Sequence, residues 1–179
     1  MKGKKFKLIA SLTSLVMVLA VMSVGIWAAT SASLSVTTKV SFTANGFTGT
    51  VAGSIANGTP SGTSSYSGEI PLGTASLSAW NIGTITLQEG KNCTVTIKLT
   101  VSQMTSGKTI TPTLSVKYGS TDVTSGSTYG TNLKITYSKG SAITAAGSIT
   151  TTVTFAAASW TSSVATSENV TIALSWTSA

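Results

Sequence analysis

The chain has no histidine, no arginine, a single cysteine, three prolines and four acidic residues among its 179. The missing histidine removes the commonest general base, the usual triad base and the commonest zinc ligand together. One cysteine, Cys93, cannot close an intramolecular disulfide. It shares parity with Val95 and Ile97, which reads as a small buried hydrophobe, the alternative being a reactive or intermolecular thiol. The acids Glu69, Glu89, Asp122 and Glu168 are widely spaced, whereas glycoside hydrolysis needs two carboxylates facing one bond. They read as solvated loop charges, and no Asp-rich loop suggests calcium. Serine is abundant, but no G-x-S-x-G elbow and no phosphate-cradling glycine loop occurs. These absences argue against an enzyme and against a metal or other cofactor.

Charge is scarce as well, at 8% of residues against a usual ~25%. The formal net charge of +7 is concentrated at the start, where Lys2, Lys4, Lys5 and Lys7 fall within the first seven residues. The other seven lysines are scattered and oppose four acids. Nucleic-acid binding needs clustered Lys and Arg, so no nucleic-acid partner is expected.

What the chain has in quantity is hydroxyl: serine and threonine supply 62 residues. Hydrophobic residues make up 41%, enough to bury a core and too many for a disordered chain. The first 28 residues read as a signal peptide, with a basic "MKGKKFK", an uncharged apolar run from Leu8 to Ile26, and small residues in "IWAAT". Cleavage is placed between Ala28 and Ala29, with a cut after Ala32 as the alternative. The rival reading is a retained anchor, since Leu8 to Ala28 is 21 residues and a membrane helix needs ~20. Either way the remainder is exported, to the cell surface or beyond. The membrane is met only through this N-terminal helix.

Residues 29–179 then read as one all-β domain. Leu34, Val36, Val40 and Phe42 alternate with Ser35, Thr37, Lys39, Ser41 and Thr43, the two-residue period of a half-buried strand. Asn45-Gly46 ends it as a turn. Further strands are predicted at Phe47–Ile55, Trp80–Leu87, Cys93–Val101, Leu114–Tyr118, Leu133–Tyr137, Ile149–Phe155 and Val170–Trp176. Residues 57–67 read as loop, and "YGSTDVTSGSTYG" as a connection with a small excursion. A helical turn is conceivable only in "SAWNI" and "FAAASWTSSVATSE". About eight strands at this spacing predict an antiparallel β-sandwich, Ig-like or jelly-roll. Trp176 and Tyr118 share parity with core residues, while Trp80 and Trp160 sit at strand ends. Those two are the candidate exposed aromatics for a glycan ligand, weighed against packing in the core or at its rim.

"WNIGTITLQEGKNCTVTIKLTV", Trp80 to Val101, and the junction "VGIWAATSASLSVTTKVSF" together resemble the TasA/camelysin-like group of exported bacterial surface proteins. The resemblance implies export by a dedicated signal peptidase and assembly into biofilm-matrix fibres. Camelysin-type proteins have been called metalloproteases, an activity not carried over to a chain without histidine. For this chain the resemblance implies self-association by strand addition, with Leu34, Val36, Val40 and Phe42 filling alternating pockets of a neighbour. The competing expectation is that this strand pairs within its own domain. The expected partners are other copies or other surface proteins. The alternative function is a surface glycan-binding or adhesion module with a polysaccharide ligand.

Overall fold

The computed structural model describes residues 35–88, 90–159 and 168–179. Twelve strands follow in order: β1 (Ser35–Asn45), β2 (Phe47–Ala56), β3 (Gly58–Pro60), β4 (Ser65–Ile70), β5 (Thr74–Leu87), β6 (Cys93–Met104), β7 (Ile110–Tyr118), β8 (Thr121–Asp122), β9 (Thr128–Tyr129), β10 (Leu133–Ser138), β11 (Gly147–Ala157) and β12 (Val170–Ser178). They form two six-stranded sheets. The first runs β3-β5-β1-β12-β7-β8 and the second β4-β2-β6-β11-β10-β9. The sheets pack face to face as a β-sandwich around one apolar cluster.

Alternation sets which face each strand buries. In β6, Cys93, Val95, Ile97, Leu99 and Val101 are buried, while Lys98, Thr100 and Ser102 are exposed. In β12, Val170, Ile172, Leu174 and Trp176 are buried in the same rhythm. The hydroxyls go outward in ranks that cross the strands. Thr43, Ser175 and Thr113 align across β1, β12 and β7. Ser54, Thr96 and Thr152 align across β2, β6 and β11. Cross-strand Thr–Thr and Thr–Ser contacts support a sheet face without charge; Thr94 and Thr154 hydroxyls lie 3.2 Å apart, Thr48 and Ser102 3.3 Å.

Three findings depart from the sequence-based expectation. The sandwich is antiparallel except for one pair, since β1 lies parallel to β12 at the centre of the first sheet. Strands occupy ground read as loop: β3 and the first half of β4 fall in 57–67, and "SAWNI" lies inside β5 rather than in a helical turn. The inward positions of β4 are Tyr66, Gly68 and Ile70, and Gly68 carries no apolar signal to complete the alternation. A Cβ there would come within 2.8 Å of the Tyr66 hydroxyl and 2.9 Å of Leu77 Cδ2. Of the second helical candidate, residues 155–159 and Glu168 are described, and Phe155 to Ala157 belong to β11. Of the four outermost strands, β3, β8 and β9 are only two or three residues long, which limits the unpaired edge each presents, while β4 has six residues.

Candidate functional site

β1 is the element on which the expected function rests. It is not an edge strand. On one side it pairs parallel with β12 from Thr38↔Val170 to Asn45↔Thr177. On the other it pairs antiparallel with β5 from Ser35↔Thr86 to Asn45↔Thr74, with register shifts at Thr38/Lys39 and Val40/Phe42. Val36 and Val40 are fully buried and Phe42 nearly so, in the core of their own domain. Of the two expectations for this strand, the structure has the intramolecular pairing. Leu34, Ala28 and Ala29, with the N-terminal helix and its cleavage site, lie outside the described residues.

The connection from β1 to β2 is one residue, Gly46, at φ +83°. That backbone region suits glycine and strains other residues. An added Cβ would also meet Ser178 Cβ at 3.0 Å. At this point the chain leaves the first sheet and enters the second, so β1 and β2 are two consecutive extended segments bent at a single joint. The Gly46 N–H donates to the Gly73 carbonyl at 3.3 Å, a long and therefore weak backbone bond.

Around Phe42 the interior is aromatic. Its ring stacks on Trp176 at 5.9 Å and 8°, and meets Tyr66 of the opposite sheet at 4.8 Å. Tyr66 in turn lies 6.2 Å from Trp80. Trp80 is therefore not an exposed platform: it is 1% exposed, and its indole N–H donates to the Thr63 carbonyl at 2.9 Å. The physical reason is Gly53 on the facing sheet, whose missing side chain leaves the space the indole fills; a Cβ there would stand 2.4 Å from Trp80 Cζ3. A glycine at a core-parity position was the one sequence signal for a buried tryptophan opposite. Trp160 lies outside the described residues.

The titratable side chains are dispersed. Glu69 is on β4, Asp122 pairs with Lys117 at 3.6 Å, and the Glu168 carboxylate sits over Gly119. Glu89 lies outside the described residues. Among the described residues no three His, Cys, Asp or Glu side chains come together. Cys93 is fully buried beneath Gly58, and burial alone pushes its thiol up to about 11. One surface groove, of about 460 Å³, is lined by Thr48, Thr50, Glu69, Pro71 and Ser102, with Glu69 its single ionisable group. A second, of about 170 Å³, is a hydroxyl-lined trough on the outer face over β1, β12 and β7. Neither groove pairs two carboxylates or brings a lysine or tyrosine beside the hydroxyls.

No protein-family model, curated protein or solved structure matches this chain.

Proposed function

We propose that this chain is an exported structural protein of the cell surface or its matrix, and that it self-associates by passing β1 into the next copy. The observation that carries this reading is the place of β1. It is an eleven-residue strand at the start of the described residues, buried along one face, and tethered to the rest through the single joint at Gly46. Straightening that joint makes β1 and β2 one long extended segment and leaves a slot between β5 and β12. The slot accepts the β1 of another copy in the same register, with the same backbone bonds and the same seats for Val36, Val40 and Phe42. Exchange of an identical element costs little, because every pairing broken at home is remade in the neighbour, and short hinges favour it. Donation in one direction is heterologous, and with a rotation that does not close it builds a filament.

The low charge supports the same reading, since few like charges oppose close approach of copies. The resemblance of the N-terminal junction and of Trp80–Val101 to TasA/camelysin-like fibre proteins points the same way. The absence of histidine and the dispersal of the acids favour a scaffold over a catalyst. A polysaccharide-binding role has less support, since Trp80 is in the core.

Thr37 on β1 and Thr84 on β5 supply the test. Their hydroxyls lie 3.4 Å apart, so cysteines at these positions are within disulfide reach. Cys93 is buried and does not compete. When Thr37→Cys and Thr84→Cys single variants are mixed, assembled and oxidised, exchange yields disulfide-linked heterodimers within fibres seen by negative-stain microscopy. The oxidised double variant, with β1 locked at home, forms no fibres. Fibres from the locked variant, or wild-type protein that stays monomeric at high concentration, would sink the proposal.

A further inference from the structure

The parallel pairing of β1 with β12 fixes how the domain meets a stretching force. Load enters β1 at Ser35 and leaves β12 beyond Ser178. Because the two strands run the same way, these two points lie at opposite ends of one ladder. Tension therefore draws β1 and β12 past each other along their length instead of peeling them apart. We propose that the β1–β12 pair is a shear clamp and that this domain is a load-bearing unit, most resistant when pulled between its first and last strands.

The register supports this in detail. Eight residue pairs, Thr38↔Val170 through Asn45↔Thr177, lie in the loaded ladder. Parallel ladders space their bonds evenly, so the pairs share the load at once. β1 is held on its far side by β5, and β12 by nine pairs with β7, from Val170↔Tyr118 to Ser178↔Ile110. Neither strand moves without shearing a second ladder. Sliding has no easy intermediate: a slip of one residue turns every side chain to the wrong face. Register returns only after two residues, about 6.6 Å of travel. Over that distance Val36, Val40 and Phe42 must leave the core, and the Phe42 ring must slide off Trp176. The exit point is secured as well. Ala179 and Thr109 exchange backbone hydrogen bonds of 3.0 and 3.1 Å, which ties the end of β12 to the start of β7.

The second sheet offers the contrary geometry within the same molecule. β10 and β11 are an antiparallel pair of six, Leu133↔Ala157 to Ser138↔Thr152, joined by residues 139–146. Pulled apart at Lys134 and Ala156, this pair opens from one end, with a single rung loaded at a time.

The clamp goes beyond the assembly reading and stands without it, because the β1–β12 ladder lies within one chain. If β1 is exchanged, the same ladder joins neighbouring copies and carries tension along the filament.

The test uses the full chain with two sets of attachment cysteines in an optical trap. One variant carries Thr37→Cys with Ala179→Cys, the other Lys134→Cys with Ala156→Cys; Cys93 is buried and takes no handle. Equilibrium denaturation of both variants checks that they are folded and comparably stable. At equal loading rate the terminal pair ruptures at a several-fold higher force and in one cooperative event, and the hairpin pair yields at low force. Forced unfolding reads the barrier along the pulled direction, so equal equilibrium stability does not predict this asymmetry. Equal forces in the two directions, or stepwise yielding in the terminal pull, would overturn the clamp. The measurement is made on monomers, so its outcome is independent of whether β1 exchanges between copies.

Discussion

The two sheets of this sandwich are built on different principles. The second contains β9, β10 and β11, which follow one another in the chain and pair in that order, so one half of it closes locally. The first places β1 and β12, the two ends of the domain, side by side at its centre. Its middle stays open until the last strand arrives, and loop-closure entropy must be met before that contact yields anything. The difference teaches where the molecule can come apart and where it cannot. A sheet whose centre is supplied by the first strand can release that strand to a neighbour. The same central position, once filled, loads in shear.

The sharpest test of that contrast removes one large ring from each sheet. Phe42 lies in the first and Phe155 in the second, and both are buried. We predict that Phe42→Ala and Phe155→Ala each cost about 3–5 kcal/mol in denaturant unfolding, as large-to-small core changes do. The kinetics should separate them. If the local half of the second sheet forms early, Phe155→Ala slows folding while Phe42→Ala chiefly accelerates unfolding. Equal partition in stopped-flow chevrons would erase the proposed order.

Next in size is the seam between the sheets. Gly53→Val sets a side chain where Trp80 already stands, and we predict a loss of about 1–3 kcal/mol with a shifted tryptophan emission. An unchanged midpoint and spectrum would mean that Trp80 is not seated against Gly53.

Cys93 adds a pH dependence belonging to the second sheet. Its thiol is neutral in the folded state up to about 11, against 9.0 for an unburied one. Between these values the unfolded chain loses the proton and the folded chain keeps it, so stability falls as pH rises. We expect wild type to lose on the order of 2 kcal/mol of stability relative to Cys93→Val from pH 8 to pH 11. A pH-independent difference would place the thiol in water.

The smallest effect is a gain, and it lies in the first sheet. The Thr38 hydroxyl is buried and has no hydrogen-bond partner among the described residues. Exchanging it for a methyl in Thr38→Val removes a buried polar group at nearly constant shape, and we predict about 1 kcal/mol of added stability. A loss in thermal or denaturant unfolding would show that the hydroxyl has a partner.

Much of the fold was legible residue by residue. The alternation in Cys93–Val101, Leu133–Tyr137 and Val170–Trp176 assigned both strand and buried face, because a period of two has only one pleated solution. β4 was not legible, since Gly68 sits between Tyr66 and Ile70 on its inner face and breaks the apolar alternation that would have marked it. Trp80 was left open between core packing and an exposed platform. Its position near a strand end did not decide, and only Gly53, twenty-seven residues earlier, held the space that buries it. At the candidate site, the buried face of β1 could be read, but its neighbours could not.

By itself the sequence determined the local alternation, the hydroxyl coat and the absence of histidine, because these depend on side-chain type and on neighbours two residues away. Which strands lie together was decided only in the folded molecule. Pairing β1 parallel with β12 joins segments more than a hundred residues apart, and nothing in either segment names the other. Their adjacency belongs to an arrangement that buries both apolar faces and fills the Gly53 notch with Trp80.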